Sequence, residues 1–438
     1  MKLHPFQAEL VAQLRAVYAA GTTRALLQLG TGGGKTATAS EILRMTVGRG
    51  RRAIFLAHLD SLIEDTHARL TAAGIPAGFI QADRPLDASA PVQVCSLATL
   101  HRRGEHPPAD LVILDECHRA MAATVRPIIE AYPNAHVLGL TATPQRGDGQ
   151  PLGDIFEAMV SGPSNRWLTD HGFLAPCDVL APGSYADDGL VLDPVAAYQA
   201  HTPGQRAIVF ASNVAHAEDL AARFTLAGIN AEVITGETSR EDRARIRDAV
   251  TAGTVRVLVN VAVAVEGFDL PALEVVILAR AFTVPGSFLQ AIGRGLRPSK
   301  DTGKTKCTVI DLRGAVNLHG LPDEDRLWSL DGTAVRRLET MTALRRCKSC
   351  LAIFRPAVVC PRCGARAEAL AKVPRVLTRG ERLEKISGLP QAERDARYLA
   401  QLVHVARVRI RMPEYRAAAW ALEKFVAKFG REPERRAA

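Results

Sequence analysis

The chain has 438 residues, of which 47% are hydrophobic and 23% charged, a composition typical of a globular protein with roughly two or three domains. It excludes a disordered or collagen-like chain. Lys and Arg total 55 against 46 Asp and Glu, and the excess lies at one end, since residues 336–438 hold 24 basic and 10 acidic side chains. This basic tail indicates a polyanionic partner such as nucleic acid, although a solvated surface that only aids solubility would carry the same charge.

The sequence shows neither a membrane span nor a secretory signal. No apolar run approaches the roughly 18 residues of a spanning helix, and Met1–Pro5 lacks the apolar core of a signal peptide. We therefore expect a cytoplasmic protein with no membrane partner.

Short β-branched runs alternate with longer amphipathic stretches twice along the chain, the pattern of parallel sheets covered by crossover helices. The strands predicted in the first half cover residues 53–57, 92–96, 111–115 and 137–141. Those predicted in the second half cover residues 207–211, 231–235, 256–260, 275–278 and 308–311. The fold class predicted is α/β with two tandem lobes, followed by a small cysteine module and a basic helical tail.

The predicted domain boundaries follow from where these patterns change, because a segment rich in proline and glycine separates the two sets of strands. They place the first lobe at 1–165, the interlobe connection at 166–205, the second lobe at 206–335, the cysteine module at 344–368 and the tail at 375–438.

A glycine-rich loop follows the apolar run that ends at Leu29 and precedes a helix-favouring stretch. It reads Gly30, Thr31, Gly32, Gly33, Gly34, Lys35 and Thr36. Glycines let backbone N–H groups converge on phosphate oxygens, while Lys35 adds a point charge and the Thr36 hydroxyl can bind Mg²⁺. Leu29 occupies the first glycine position of the strict phosphate-loop pattern, and a turn without a ligand is the alternative.

Two carboxylates stand at the end of the buried strand predicted at 111–115, where the sequence reads Asp115, Glu116, Cys117, His118. In nucleotide hydrolases of this build the first would hold Mg²⁺ through its water shell and the second would deprotonate the attacking water. His118 is predicted to act between the lobes or to sense phosphate, with a satisfied core histidine as the alternative.

With these two motifs the chain resembles the superfamily 2 helicases, in which Asp-Glu-Cys-His is a variant of the DEAD/DEAH box. The resemblance covers about residues 1–315 and implies two RecA-like lobes with ATP and Mg²⁺ between them. The later motifs and the cysteines are most similar to RadD-type DNA repair helicases and phage-encoded relatives.

The resemblance assigns roles to further residues. It implies that Gln7, Gly267, Asp269 and Gln290 bind ATP, and that Thr141 and Thr143 couple hydrolysis to movement together with His118. It implies that His58, Thr99, Ser212, Asn213 and Thr235 contact nucleic acid. Arg294 and Arg297, three residues apart, would lie on one helical face and reach the phosphate held by the opposite lobe, in the manner of arginine fingers.

Four cysteines form two pairs, Cys347 with Cys350 and Cys360 with Cys363. Two such pairs supply four thiolates for a tetrahedral Zn²⁺ site of the zinc-ribbon kind. The ribbon would present basic side chains to a phosphate backbone, or would instead pack on the second lobe or bind protein; these side chains are Arg345, Arg346, Lys348, Arg355 and Arg362. In the tail, aromatic residues spaced along a helix are expected to form its core rather than to stack on bases.

Together these features predict an ATP-dependent DNA helicase or translocase with ATP, Mg²⁺ and Zn²⁺ as cofactors. DNA is favoured over RNA as the nucleic acid by the resemblance, and repair or replication proteins are possible partners. A translocase on duplex DNA without strand separation, an RNA helicase and a non-catalytic binding module are the alternatives.

Overall fold

The computed structural model describes most of the first 366 residues and shorter pieces of the tail. The described residues are 3–57, 60–81, 87, 89–104, 106–119, 122–146, 150–181, 190, 192–261, 270–299, 301–330, 335–336, 345–347, 349–350, 352–354, 357, 359–366, 392, 395–396, 399, 402–403, 414–429 and 431–433. The chain divides into two compact units, Met1–Glu368 and Ala369–Ala438. Among the described residues, no helix is long and apolar enough to cross a membrane.

The first lobe is a seven-stranded parallel sheet in the order β3-β4-β2-β5-β6-β1-β7. Its strands are β1 (Arg24–Gln28), β2 (Ala53–Ala57), β3 (Ala77–Ile80), β4 (Val92–Ser96), β5 (Leu111–Leu114), β6 (His136–Thr141) and β7 (Ala158–Ser161). Its helices are α1 (Pro5–Ala19), α2 (Lys35–Val47), α3 (Asp60–Ala72), α4 (Leu97–Arg103) and α5 (Ala122–Glu130).

Each face of this sheet packs into its own core. Leu27 and Phe55 belong to one cluster, whereas their neighbours Leu26 and Ile54 belong to the other. Successive side chains of a strand point to opposite faces, so a sheet covered on both sides needs continuous apolar strands. This is why the strands are short uninterrupted apolar runs.

The second lobe contains an eight-stranded sheet in the order β10-β11-β9-β12-β13-β8-β17-β16. Its strands are β8 (Cys177–Leu180), β9 (Ala207–Ala211), β10 (Ala231–Ile234), β11 (Val257–Val261), β12 (Val275–Leu278), β13 (Cys307–Asp311), β16 (Arg345–Arg346) and β17 (Ala352–Phe354). Its helices are α6 (Asn165–Asp170), α7 (Pro194–His201), α8 (Val214–Leu226), α9 (Arg240–Ala252), α10 (Pro285–Gly293) and α11 (Ala315–His319). A separate pair, β14 (Arg326–Leu327) and β15 (Val335–Arg336), is antiparallel.

The predicted α/β fold with two parallel-sheet lobes is confirmed. One difference concerns the segment 166–205, which was predicted to be only a connection between the lobes. It contains β8, which pairs in parallel with β13 and is therefore a strand of the second sheet. A run of four residues that begins with a cysteine carries too little apolar pattern to predict a strand.

The cysteine module extends the second sheet. Its strand β17 pairs antiparallel with β8, and β16 pairs antiparallel with β17. All six other strands of this sheet are parallel. The module is thus joined to the second lobe by main-chain hydrogen bonds.

In the second unit the main described element is α12 (Glu414–Phe429). Ala417, Ala421 and Phe425 are fully buried at successive spacings of four residues, which is the apolar stripe of a core helix. The guanidinium of Arg431 donates to both carboxylate oxygens of the buried Asp395, at 2.7 and 2.9 Å. The burial of Phe425 agrees with the expectation that the tail aromatics form a core.

Candidate active site between the two lobes

The phosphate loop connects β1 to α2, as its sequence predicts. Gly32 and Gly34 have φ angles of +87° and +90°, a left-handed backbone that side chains disfavour. A Cβ at Gly34 would collide with the side-chain nitrogen of Gln7, and one at Gly30 would meet the Asn165 side chain. The loop therefore needs glycine at positions 32 and 34, and it ends at the amino terminus of α2, where main-chain N–H groups favour an anion.

Gln7 holds this loop in place. Its side-chain oxygen accepts a hydrogen bond from the His4 main-chain N–H at 3.0 Å, and its side-chain nitrogen donates to the Gly33 carbonyl at 3.1 Å. The side chain is 4% exposed. The structure thus uses both ends of the Gln7 amide within the first lobe, whereas the sequence predicts a contact with the adenine base.

The acidic pair lies directly after β5, next to the phosphate loop. The Glu116 carboxylate is 3.8 Å from the Lys35 ammonium and 3.4 Å from Nδ1 of His118. Asp115 accepts a hydrogen bond from the Glu116 main-chain N–H at 3.0 Å. Burial raises the pKa of Glu116, but the nearby positive charges, that of Lys35 foremost, outweigh burial and hold the pKa below its ordinary value.

The backbone of Glu116 is strained. Its φ angle is +46°, and it is the sole non-glycine residue with a positive φ among those that the structure describes. Such a conformation costs on the order of 1–3 kcal/mol and persists only where the surroundings impose it. The strained residue is therefore the one whose carboxylate lies 3.8 Å from the Lys35 ammonium.

His118 connects the two lobes. Its Nδ1 lies 2.9 Å from the hydroxyl of Thr141, and its Nε2 lies 3.1 Å from the side-chain nitrogen of Gln290, which belongs to α10 of the second lobe. With the Gln290 nitrogen donating, Nε2 is the acceptor and Nδ1 carries the proton that it donates to Thr141. The Thr141 hydroxyl then donates to the Thr143 carbonyl at 3.0 Å.

Arg294 and Arg297 reach the same cleft from the second lobe. The cleft has a volume of about 380 Å³. It is lined by Thr31, Gly32, Gly34, Lys35, Thr36, Ala37, Asp65, Thr66, Arg69, Asp115, Glu116, Pro271, Gln290, Arg294, Arg297 and Pro298. The structure therefore brings together the predicted loop, the acidic pair and both arginines.

The two arginines are not on a helix, contrary to the sequence prediction. The last residue of α10 is Gly293, and Arg294 follows as its C-cap, so Arg297 lies in the turn beyond. A Cβ at Gly293 would lie 2.6 Å from the Cβ of Thr31, so this part of the second lobe contacts the phosphate loop directly. The close approach explains why the helix ends in glycine at this point.

The cleft residues missed from the sequence include three polar side chains of α3, those of Asp65, Thr66 and Arg69. Asp65 and Arg69 are oppositely charged and four residues apart, a pattern that is typical of a solvated helix face. Nothing in the local sequence distinguishes such a face from one that borders a nucleotide cleft.

The residues predicted to contact nucleic acid are placed unevenly. Ser212 and Asn213 are exposed just after β9, where the Asn213 side chain caps α8 by accepting from the His216 N–H at 2.9 Å. Thr235 follows β10, and its hydroxyl accepts from the Glu237 N–H at 3.2 Å. Thr99 is only 4% exposed, so the structure does not present its side chain at the surface.

Three other predicted site residues, His58, Gly267 and Asp269, lie outside the described residues.

The four paired cysteines converge. The Sγ atoms of Cys347 and Cys363 are 3.6 Å apart, as are those of Cys350 and Cys360, and all four lie within 4.8 Å of one another. Tetrahedral zinc with Zn–S bonds of about 2.3 Å places sulfur atoms about 3.8 Å apart, so the donor set fits Zn²⁺. Main-chain N–H groups, that of Cys350 foremost, lower the pKa of Cys347 to about 6, whereas burial raises the pKa of Cys350 to about 12. A bound metal would hold both as thiolates.

Arg362 is directed into the protein, although the sequence predicted that it faces a phosphate backbone. Its guanidinium donates to the carbonyls of His201 and Cys350, each at 3.4 Å, and lies 3.7 Å from the Asp178 carboxylate. Its side chain is 17% exposed. These contacts favour the alternative in which the cysteine module packs on the second lobe.

The comparisons with known proteins agree with this architecture. Residues 1–146 match the family "Type III restriction enzyme, res subunit", and residues 192–299 match "Helicase conserved C-terminal domain". The chain is 29% identical to the "51.5 kDa protein" of a Lactococcus phage over 75% of each chain. It is 28% identical to "DNA 3'-5' helicase XPB" of Kineococcus radiotolerans over 55% of this chain and 48% of that one.

Among solved structures, the fold is similar to a fragment of a putative HsdR subunit of a type I restriction enzyme from Vibrio vulnificus. The TM-score is 0.57 at 22% identity, over 75% of this chain and 69% of that one. At this identity the similarity concerns the fold alone.

The cleft between the two parallel-sheet lobes contains a phosphate loop, an acidic pair and two arginines. This combination defines a nucleoside triphosphatase motor. The chain belongs to the superfamily 2 helicases. It is a nucleic-acid-dependent ATPase of the helicase or translocase type, and ATP hydrolysis by this family uses Mg²⁺.

Proposed function

We propose that this protein is a DNA-dependent motor that unwinds or remodels DNA in repair, recombination or replication. The observation that carries the proposal is the cleft in which Arg294 and Arg297 of the second lobe face Lys35 and Glu116 of the first. The DNA preference is supported by the relative from Kineococcus radiotolerans, which is named a DNA 3'-5' helicase. It is also supported by the basic segment 336–438, since phosphate contacts dominate the affinity of proteins for DNA.

In the proposed chemistry, the N–H groups of the loop 30–34 and the Lys35 ammonium hold the phosphates of ATP. The Thr36 hydroxyl, and the Asp115 carboxylate through the water shell, would hold Mg²⁺, which would supply positive charge beside the phosphates. Glu116 orients the attacking water and accepts its proton, while the bond from the terminal phosphorus to ADP breaks. The lowered pKa of Glu116 keeps its carboxylate ionised, the form in which it can accept a proton.

Arg294 and Arg297 stabilise the charge that develops on the transferred phosphate. Groups of this kind contribute roughly 10³–10⁵ in rate in related enzymes. Because they belong to the opposite lobe, they complete the site only when the cleft is closed. His118, Thr141 and Gln290 would carry the state of the nucleotide from one lobe to the other, which is how hydrolysis advances the protein along a strand.

We also propose that the cysteine cluster binds one Zn²⁺ with a structural role. Four thiolates leave no coordination position open for chemistry. The pairing of β17 with β8 supports a ribbon that belongs to the second lobe. A cytoplasmic location and protein partners in repair or replication remain predictions from the sequence.

The test is steady-state ATP hydrolysis by the purified protein, alone and with single-stranded DNA, duplex DNA, forked DNA or RNA. We expect stimulation by DNA well above that by RNA, together with displacement of a labelled strand from forked DNA. Stimulation by RNA alone would overturn the DNA assignment in favour of an RNA helicase.

A second candidate is a translocase on duplex DNA that does not separate strands. The match of residues 1–146 to the res subunit family of type III restriction enzymes favours it. The two candidates separate in one pair of assays, because a translocase would displace a third strand from a triplex yet leave forked DNA annealed. A translocase would also be stimulated most by duplex DNA.

A further inference from the structure

Lys304 is a buried lysine of the second lobe that the proposed chemistry does not use. Its side chain is only 8% exposed. Lysine is almost never this buried unless its ammonium group is fully hydrogen-bonded, because removing a charge from water is costly. The partners of this ammonium therefore indicate its role.

The ammonium donates to three main-chain carbonyls, those of Gly295 at 2.6 Å, Arg297 at 2.7 Å and Pro271 at 3.2 Å. An ammonium has three donors, so each donor has one acceptor. Two of the acceptors lie in the turn that carries Arg294 and Arg297. The third, Pro271, lines the nucleotide cleft in its own right.

The same turn is fixed from a second direction. The carbonyl of Leu296 accepts from the Ala175 N–H at 2.7 Å. A Cβ at Gly295 would lie 2.5 Å from the sulfur of Cys307 and 2.6 Å from a methyl group of Val276, so the main chain rests directly on the sheet. Hydrogen bonds from Lys304 and from the Ala175 N–H thus hold the three successive carbonyls of residues 295–297.

Lys304 itself is held in a short hairpin. It forms an antiparallel bridge with Ser299, and the Thr302 hydroxyl donates to the Ser299 hydroxyl at 2.9 Å. The hairpin begins two residues after Arg297. The ammonium consequently folds back onto the segment that the chain has just left.

We propose that Lys304 is a positioning residue for ATP hydrolysis, which holds the main chain of residues 295–297 so that Arg297 projects into the cleft. This inference rests on the proposed role of that arginine. A turn outside a helix has no internal hydrogen-bond ladder to fix its side chains, and one ammonium supplies that support.

The experiment is a double-mutant cycle between Lys304→Met and Arg297→Ala, measured as kcat and as the affinity for a fluorescent ATP analogue. Methionine keeps the length of the side chain and removes its charge and donors. We expect K304M to lower kcat at least about tenfold, with affinity changed less than about threefold, because the phosphate loop belongs to the other lobe. In the R297A background K304M should cost less than about twofold more, since the arginine through which it acts is gone.

Two further variants serve as controls. Lys306→Met removes an exposed ammonium two residues away, which pairs with Asp178 at 2.7 Å, and should leave kcat within about twofold of the parent. Lys304→Arg restores the charge and donors and should recover part of the lost kcat. If K304M does not fold, the cycle is run with Lys304→Gln, which keeps a shorter uncharged donor.

The measurements distinguish a failure of the Lys304 role from a failure of the arginine roles. If R297A and Arg294→Ala both hydrolyse ATP normally, the arginine roles fail whatever Lys304 does. If R297A is slow but K304M is normal, the positioning role of Lys304 is overturned. It is equally overturned if K304M costs the same factor with and without Arg297, since its effect is then independent of the arginine.

Discussion

The side chains of His118 in the first lobe and Gln290 in the second are in contact. Nε2 of the histidine lies 3.1 Å from the side-chain nitrogen of the glutamine. The other ring nitrogen of His118 reaches both Thr141 and Glu116, at 2.9 and 3.4 Å. The histidine is therefore in contact with the proposed general base, the motif after β6 and the opposite lobe at the same time.

This arrangement predicts that His118 and Gln290 act as one unit. His118→Ala and Gln290→Ala should each reduce DNA-stimulated ATP hydrolysis by about tenfold, and the double variant should be no slower than the slower single one. The measurement is the rate of hydrolysis with and without DNA. His171→Ala, at an exposed histidine of the same chain, is the matched control and should behave as the parent. Multiplicative losses in the double variant would contradict the interlobe contact.

Glu116→Gln should bind ATP yet hydrolyse it at least about a hundredfold more slowly, because the amide cannot accept the proton of the attacking water. Single-turnover hydrolysis and binding of a fluorescent ATP analogue measure the two steps separately. Glu157→Gln, at an exposed ion pair with Arg24 in the same lobe, should leave both unchanged. Turnover near that of the parent in Glu116→Gln would exclude this carboxylate as the base.

The pH dependence of hydrolysis should contain no contribution from Glu116 between about pH 6 and about pH 8. Its pKa is held below the ordinary value, so the carboxylate is ionised throughout that range and is protonated only as the pH falls below the ordinary value. The measurement is kcat against pH for the parent and for Glu116→Gln. An acid limb with a midpoint between pH 6 and pH 7 that disappears in the variant would show that the pKa is raised instead.

The cysteine cluster should hold one zinc ion per chain, and its removal should destabilise the second lobe. Cys360 is 1% exposed and β17 pairs with β8, so loss of the metal would release β17 and β16 from one end of the second sheet. Elemental analysis and thermal unfolding of Cys360→Ser check both points. Cys177→Ser, on β8 but outside the cluster, should retain the metal. Equal zinc content in the two variants would refute the site.

The sequence predicted those site residues whose positions are set by their neighbours in the chain. The strand, glycine loop and helix around Lys35 are one continuous segment, and the carboxylates follow β5 directly, so their positions follow from local pattern. Arg297 was predicted to reach the cleft and does so. The helix expected to carry it ends at Gly293, where a Cβ would meet Thr31 of the first lobe, and no local signal reports that contact.

Other misses have the same cause. Arg362 looked like a basic surface residue, yet its partners are His201 and Asp178, more than a hundred residues earlier in the chain. The strand β8 is too short to carry an apolar pattern, and it is defined by pairing with β13 and β17. Lys304 carried no signal, because a single lysine in a polar turn is typical of exposed residues.

The sequence by itself determined the two α/β lobes, the phosphate loop, the acidic pair and the four cysteines, because apolar periodicity and chemical spacing are properties of consecutive residues. Only the tertiary structure decided that His118 meets Gln290, that Arg362 faces inward and that the Lys304 ammonium holds the turn before it. These are contacts between segments whose approach depends on how both sheets pack, and such distances are set by the folded chain as a whole.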